Sequence, residues 1–184
     1  MIITISGTAG SGKSTVGKLL AKKLGYRHYS NGDFMREMAE KRKISLLELS
    51  RLAEKDQSID KEIDQRQIHL GKTKDNFVID SRLGFHFIQN SVKIFLDADI
   101  EERARRILAD KARKEQNIDL KTTKQNIEAR EKSEKKRYKK YYGLNPYDKK
   151  YYDLVIDTGN LTPEQAASTV LRFIKTGIKT KKSR

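Results

Sequence analysis

GTAGSGKST, residues 7–15, follows directly on the apolar run MIITIS, residues 1–6. A short run rich in β-branched residues is typical of a buried strand. Beyond the loop, apolar residues recur at helical spacing as far as Leu24, and Gly25 follows as a stop signal. The stretch therefore predicts a strand, a loop with almost no large side chains, and a helix, in that order.

The loop matches the pattern G-x-x-x-x-G-K-[ST], with Gly7, Gly12, Lys13 and Ser14 at the specified positions. Small residues let the backbone curl until consecutive N–H groups point inward as an anion site, and the positive end of the helix adds to it. We predict that ATP binds here, with Lys13 at the β and γ phosphates and Ser14 on Mg²⁺. The whole loop is expected to line this site: Gly7, Thr8, Ala9, Gly10, Ser11, Gly12, Lys13, Ser14 and Thr15.

The charge balance also favours a phosphorylated ligand. The 184 residues include 40 Lys and Arg against 25 Asp and Glu, which gives a formal net charge of +15. Such a charge favours polyanionic partners, although solubility alone is an alternative reason for it. Residues 111–150 are dense in Lys and Arg, and residues 177–184 are expected to form a basic tail.

Composition disfavours several classes of protein. No apolar run approaches the roughly 20 residues of a membrane span, and no signal segment opens the chain. There are no cysteines for disulfides or thiolate metal sites. We therefore expect a cytoplasmic protein without a membrane partner, and a monomer, because no exposed apolar stripe is evident.

Short β-rich runs alternate with helical patterns along the rest of the chain. Further strands are expected at 26–29, 77–79, 92–96 and 152–156. Helix signals include a capping box at Ser45, a cap at Ser58 with a stop at Gly71, and a start at Thr162. This alternation predicts an α/β fold, a P-loop NTPase-like three-layer sandwich whose five-stranded parallel sheet carries helices on both faces.

Two insertions interrupt the alternation, at about 33–71 and at about 111–146, and each is too long for a simple crossover. The second contains a very basic helix at about 123–142. No linker or repeat divides the chain, so we predict one domain at 1–176. Its core comprises 1–32, 72–110 and 147–176.

Two short motifs follow the second and third predicted strands: SNGDFMR, residues 30–36, and DSRLG, residues 80–84. In an open parallel sheet, the carboxyl ends of the strands surround the ligand crevice. Two arginines there can bind a second phosphate, and two carboxylates can hold Mg²⁺ through its water molecules. Surface ion pairs are the alternative. The side chains concerned are Asp33, Arg36, Asp80 and Arg82.

Taken together, these motifs resemble those of the nucleoside monophosphate kinases, and most closely the archaeal-type cytidylate kinases. The similarity extends beyond the loop at 7–15 to six further stretches. These are GDFMREMA (32–39), AEKDQSIDKEIDQRQ (53–67), IDSRLG (79–84), EERARRI (101–107), REKSEKKRYKKYYG (130–143) and YDLVIDT (152–158). The resemblance implies transfer of the γ-phosphate of ATP to CMP or dCMP. It also implies that the first insertion binds the monophosphate and that the second is a lid.

Arg130, Glu134 and Arg137 lie at spacings that place them on one face of the basic helix. The resemblance implies that the two arginines contact nucleotide phosphates, and that Glu134 contacts the sugar or orients an arginine. Spacing alone equally allows a solvated helix with an ordinary ion pair, worth about 0.3–0.5 kcal/mol. Arg103 and Arg106, in the preceding helix, are candidates for the donor side.

In such a kinase, catalysis consists of positioning the two nucleotides and neutralising the charge of their phosphates. The expected catalytic cations are Lys13, Arg36, Arg82, Arg130 and Arg137. The expected acceptor-binding residues are Asp33, Arg36, Asp80, Ser81, Arg82, Arg130, Glu134 and Arg137. Magnesium is expected on Ser14, and through water on Asp33 and Asp80. Ser81 or His86 is placed to touch the base, whereas the tyrosines at 138–152 are expected to pack.

Two alternatives stay open at this point. One is another kinase of the same group, of adenylate or UMP/CMP type. The other is an RNA-associated P-loop ATPase acting in ribosome assembly, which the charge of +15 and the basic tail motivate. We expect small-molecule substrates and no specific nucleic acid, because two acceptor-phosphate arginines have no use in a pure ATPase.

Overall fold

The computed structural model describes residues 1–110 and 119–181, with side chains described as far as Gly177. The strands are β1 Ile2–Gly7, β2 Arg27–Ser30, β3 Phe77–Asp80, β4 Val92–Asp97 and β5 Leu154–Asp157. The helices are α1 Lys13–Leu24, α2 Asn31–Lys41, α3 Leu46–Ala53, α4 Ser58–Thr73, α5 Gly84–Phe87, α6 Ile100–Ala109, α7 Leu120–Tyr142 and α8 Pro163–Lys181. A 3-10 turn covers Lys149–Tyr151. All five predicted strands are confirmed.

The strands form one parallel sheet in the order β2-β3-β1-β4-β5. β1 is the central strand and is buried along its whole length. Ile5 of β1 pairs with Asp80 of β3, and Gly7 pairs with Leu96 of β4. The carboxyl ends of the strands therefore meet at the edge where the loop 7–15 begins.

The two faces of the sheet bury different side chains, because successive residues of a strand point to opposite sides. Ile3 and Ile5 lie on the face that packs against α1 and α8. Ile2 lies on the other face, in a cluster with Leu70 of α4 and Ile88. Helices thus cover the sheet on both sides, and the predicted three-layer fold is confirmed.

The first predicted insertion contains α2, α3 and α4, which pack around an apolar cluster of their own that includes Leu49 and Ile59. α7 crosses to this cluster from the second insertion. The Ser133 hydroxyl of α7 donates to the carbonyl oxygen of Ser50 at 3.2 Å, and the two insertions are therefore in direct contact.

Some helix ends differ from the prediction. Gln57 occupies the cap position of α4 and Ser58 is its first residue, while Gly71 does not end the helix, which continues to Thr73. Gly71 instead permits close packing, because a Cβ atom there would lie 3.1 Å from the side chain of Ile88. The capping box that begins α3 is confirmed.

Parts of two predictions lie outside the described residues: 111–118 of the lid and 182–184 of the basic tail. α8 continues to Lys181, so the earlier residues of the predicted tail belong to this helix. In the part of the chain that the structure describes, no helix has both the length and the apolar composition that a membrane span requires. The division into core, monophosphate-binding insertion and lid stays a prediction.

The glycine at the end of β1 allows β4 to approach closely. Gly7 has a φ of 138°, and a Cβ atom there would lie 1.9 Å from the Leu96 carbonyl oxygen. We expect Gly7→Ala to lower the free energy of unfolding by about 3 kcal/mol or more, because β4 must move away. Chemical denaturation measures this change. Gly177→Ala is the matched control, since a Cβ atom there meets nothing within 4 Å. Equal stability of the two variants would contradict the packing described.

Candidate active site

The loop between β1 and α1 is held through its carbonyl oxygens. Thr8 O accepts from the Ser11 hydroxyl at 2.9 Å, and Ser11 O accepts from the Thr158 hydroxyl at 3.0 Å. Within the described ranges, the backbone N–H groups of Gly10 and Gly12 donate to no protein group. Both glycines have a positive φ, 82° and 86°, which suits residues without a side chain. The loop therefore has the backbone form of an anion site.

Lys13 begins α1 and bends back over the loop. Its Nζ donates to Thr8 O at 2.5 Å, and its side chain borders the cavity described below. Ser14 and Thr15 follow in the first turn of α1, which contains no acidic residue. The start of the helix thus combines a lysine, a hydroxyl and the positive end of the helix dipole.

The neighbouring ends of β2 and β3 hold the carboxylate of Asp80. Its Oδ1 accepts from the Ser30 hydroxyl at 3.0 Å, and its Oδ2 lies 3.0 Å from His28 Nε2. His28 fits because Gly17 has no side chain, and a Cβ atom there would lie 2.8 Å from the same imidazole nitrogen. Sequence spacing does not reveal this histidine, because its contact depends on the register of β2 against β3.

Glu134 of α7 is the centre of a buried cluster of cations. Its carboxylate accepts from Arg82 Nε at 2.7 Å, from Arg130 Nε at 3.1 Å and from the Tyr147 hydroxyl at 2.5 Å. Arg82 also donates to the carbonyl oxygen of Gly7. Burial alone would raise the pKa of Glu134, but the charges of Arg82 and Arg130 hold that pKa well below its ordinary value. These contacts place Glu134 between two arginines, and its predicted role in the site stays a prediction.

Arg36 reaches the cavity from α2. It forms an ion pair with Asp33, one turn earlier in the same helix. The Arg36 side chain is 27% exposed and that of Asp33 is 56% exposed, whereas that of Arg82 is 12% exposed. Arg36 is therefore the less enclosed of the two strand-end arginines, and an arriving anion can draw it away from Asp33.

Arg137 is more deeply placed than the sequence suggests. Its side chain is 1% exposed, and its Nη1 donates to the carbonyl oxygen of Ser50 at 3.0 Å. Its Nε lies 2.6 Å from Asp60 Oδ2, in an ion pair whose direction falls short of a hydrogen bond. Burial raises the pKa of Asp60 to about 6, against the opposing charge of Arg137. The phosphate contact of Arg137 stays a prediction.

One cavity of about 690 Å³ brings most of the predicted site together. The loop contributes residues 9–15 to its lining. The strand ends, α2 and α7 contribute Asp33, Arg36, Asp80, Ser81, Arg82, Arg130, Glu134 and Arg137. Cations and loop N–H groups from distant parts of the chain therefore face one cavity.

Three of the predicted residues do not border this cavity: Gly7, Thr8 and Arg103. Arg103 donates to Glu131 Oε1 at 2.7 Å and to Ala9 O at 3.4 Å, so it supports the loop from behind. Arg106 does border the cavity and donates to Thr158 O at 2.8 Å.

The tyrosine-rich segment packs, as predicted. Phe85 stacks on Tyr151 with ring centroids 5.1 Å apart, in a cluster that also contains Tyr138 and Tyr152. His86, a candidate for the base, has its ring near Tyr142 and does not border the cavity.

Several cavity residues are not among the predicted site residues, although the stretch 53–67, which carries part of the family resemblance, contains them. α4 contributes Asp60, Ile63, Asp64 and Gln67, whose spacings place them on one helical face. Helical periodicity is therefore a signal that could have found them. Tyr147 contacts the α7 carboxylate from an irregular segment, and no sequence signal points to it.

Comparison with known proteins shows which family this sequence resembles. The sequence model of the Cytidylate kinase-like family matches residues 2–160. The chain is 38% identical over 175 residues to the cytidylate kinase of Methanobrevibacter smithii, which covers 95% of this chain and 99% of that protein. It is 41% identical over 172 residues to the cytidylate kinase of Natronomonas pharaonis, covering 92% and 87% respectively.

Solved structures share the fold at lower identity. An uncharacterized protein from Eubacterium ventriosum superposes with a TM-score of 0.70 at 22% identity, covering 95% of this chain and 98% of that one. Shikimate kinase from Aquifex aeolicus superposes with a TM-score of 0.59 at 23% identity, covering 97% and 98%. These likenesses concern the fold alone.

The cluster around Glu134 is expected to contribute to the stability of the fold. We expect Glu134→Gln to lower the free energy of unfolding by about 3 kcal/mol or more, because Arg82 and Arg130 stay buried without their shared counter-charge. Urea titration near pH 7 measures this. The wild-type contribution is complete above the ordinary glutamate pKa of 4.5 and is lost as the pH falls from there through the lower folded-state pKa.

Glu54→Gln is the matched control for that measurement. Glu54 pairs with Lys136, whose side chain is 72% exposed, so its loss should cost less than about 1 kcal/mol. Similar losses in the two variants would show that the cluster around Glu134 is not the stabilising feature described.

Proposed function

Because the chain belongs to the cytidylate kinase-like family, we propose that it transfers the γ-phosphate of ATP to CMP or dCMP, yielding ADP and CDP or dCDP. The observation that carries the proposal is that one cavity is bordered both by the phosphate-binding loop and by Arg36, Arg82 and Arg130. A protein that only binds or hydrolyses ATP has no use for a second set of phosphate-binding cations. The arrangement supports two phosphorylated ligands side by side.

On the donor side, the loop holds the triphosphate. The N–H groups of Gly10 and Gly12 bind its oxygens, because they donate to no protein group in the described part of the chain, and the positive end of the α1 dipole adds to the attraction. Lys13 turns from Thr8 O to the β and γ phosphates, where its charge is neutralised more fully than by a carbonyl oxygen.

On the acceptor side, Arg36 and Arg82 bind the monophosphate and aim one of its oxygens at the γ-phosphate. That oxygen is already anionic, so the reaction needs no strong general base. Arg130 neutralises charge on the group in transfer. Glu134 fixes the guanidinium groups of Arg82 and Arg130 in advance, which avoids the cost of reorienting them during the reaction.

The residues of the site fit Mg²⁺. Ser14, Asp33 and Asp80 all border the cavity and offer the hard oxygen donors that this ion prefers. Within the described residues, no three acidic or histidine side chains converge on one point, which suits an ion that keeps several water molecules and binds phosphate oxygens. When bound, Mg²⁺ supplies positive charge to the phosphate oxygens.

The contact between α7 and α3 supports the exclusion of water during transfer. The Tyr141 hydroxyl donates to Ala53 O at 3.0 Å, and Ser133 binds Ser50 in the same region. A covered site favours transfer to the acceptor over hydrolysis.

We further propose that the enzyme acts as a monomer in the cytoplasm. Its large exposed apolar side chains in the described part of the chain are Leu52 and Val155, which lie on different elements. A chain without cysteine suits a reducing compartment. The alternative of an RNA-associated ATPase rests on net charge and finds no specific support in the cavity.

A substrate panel tests the proposed reaction. We expect ADP formation from ATP to be fastest with CMP or dCMP, slower with UMP and AMP, and at least about a hundredfold slower without an acceptor. A coupled assay for ADP measures all five conditions. Comparable ADP formation with and without acceptors would favour an ATPase, and a preference for AMP would favour an adenylate-type kinase.

Substitution of Arg36 should impair binding of the acceptor nucleotide and leave binding of ATP almost unchanged. We expect Arg36→Ala to raise the KM for CMP by about tenfold or more, because one charge-assisted contact with phosphate is lost. The KM for ATP should change by less than about twofold. Arg66→Ala is the matched control, since Arg66 lies on the exposed surface of the same insertion, over the ring of Phe34. Equal effects of Arg36→Ala on both substrates would contradict the assignment.

A further inference from the structure

The wall that α4 contributes to the cavity differs in chemistry from the cationic walls. Asp60, Asp64 and Gln67 lie on one face of α4, are 3%, 7% and 1% exposed, and border the cavity. Two carboxyl groups disfavour a phosphate at this wall. The phosphates are drawn to the loop and the arginines, so the α4 wall faces an uncharged part of the acceptor nucleotide.

The carboxyl group of Asp64 is held in one orientation. Its Oδ2 accepts a hydrogen bond from the Tyr142 hydroxyl of α7. In residues 1–110 and 119–181, no hydrogen bond engages its other oxygen, Oδ1. Burial raises the pKa of Asp64 to about 7, the bond from Tyr142 opposes the rise, Asp60 adds to it, and the charge of Arg137 on α7 opposes it.

The amide of Gln67 is oriented by a chain of hydrogen bonds. The Ser81 hydroxyl oxygen accepts from Asn31 Nδ2 at 3.0 Å and from Leu83 N at 3.2 Å. Its own hydrogen is therefore left to donate, and Gln67 Oε1 accepts it at 2.5 Å. This places the Gln67 oxygen toward Ser81 and its Nε2 away from Ser81, and that nitrogen has no hydrogen-bond partner among the described side chains.

We infer that Asp64 and Gln67 read the edge of the acceptor base and select a pyrimidine that carries an exocyclic amino group. The inference rests on the proposed function and names the residues that choose the base. Asp64 Oδ1 accepts from the 4-amino group of cytosine, and Gln67 Nε2 donates to the adjacent ring nitrogen N3, which in uracil carries a hydrogen and cannot accept. Uracil has a carbonyl oxygen at position 4, which an ionised carboxylate repels. A buried acceptor or donor without a hydrogen-bond partner costs free energy. UMP is therefore expected to bind less tightly than CMP.

This pairing makes base choice depend on pH. Below about pH 7, the protonated carboxyl of Asp64 can donate to the 4-carbonyl oxygen of uracil, so that UMP is discriminated against less strongly. Above about pH 7, the carboxylate only accepts, and UMP is rejected. The charged and titratable groups that act on Asp64 are Asp60 on its own helix and Arg137 and Tyr142 on α7.

The test compares kcat/KM for CMP with kcat/KM for UMP at about pH 6 and about pH 8, either side of the transition. Taking the ratio cancels the ionisation of the monophosphate group, which both substrates share. We expect the wild-type ratio to rise severalfold with pH. In Asp64→Asn, the ratio at about pH 8 should fall by about tenfold or more and become independent of pH, because an amide can also donate to uracil. Glu62→Gln, an exposed change on the same helix, should leave the ratio unchanged.

The outcomes separate this inference from the proposed function. Efficient transfer to CMP with an unaltered ratio in Asp64→Asn would overturn the base-reading role and leave the kinase intact. Transfer to no pyrimidine monophosphate would contradict both. Should Asp64→Asn fail to fold, the wild-type ratio decides, since a ratio that is flat between the two pH values overturns the inference.

Discussion

The site depends on one buried carboxylate that is shared by two arginines. Glu134 is 2% exposed, and removing it from water is costly unless cations and donors surround it. Arg82, Arg130 and the Tyr147 hydroxyl meet this need. Without the carboxylate, the two guanidinium groups would repel each other, and Arg82 would keep only its contact with the carbonyl oxygen of Gly7 beside the loop 7–15.

The same cluster joins parts of the chain that are far apart in sequence. Arg82 follows the end of β3, in the core of the fold, whereas Arg130 and Glu134 belong to α7. Arg137, further along α7, binds Asp60 of α4. These ion pairs therefore link α7 both to the core of the fold and to α4.

The parts of the fold and site that the sequence predicts are those encoded by local patterns. The strand, loop and helix at 1–24 follow from periodicity and from the pattern of Gly12 and Lys13, and the ends of β2 and β3 follow from topology. The sequence does not show contacts that depend on strand register or on three-dimensional packing. His28 meets Asp80 only through strand pairing, Tyr147 reaches the cluster from an irregular segment, and Arg103 lies behind the loop. The face of α4 is periodic and lies in a stretch that carries the family resemblance, but only the cavity shows which of its side chains border the site.

The proposed reaction requires that donor and acceptor phosphates share one cavity. The most direct measurement is calorimetric titration with a compound in which adenosine and cytidine are joined by five phosphates, compared with ATP alone. A shared cavity predicts binding at least about a hundredfold tighter than that of ATP, since the second nucleotide is then held within reach of its own site. Affinity no higher than that of ATP would mean that the arginines do not face a second nucleotide, and the account would fail.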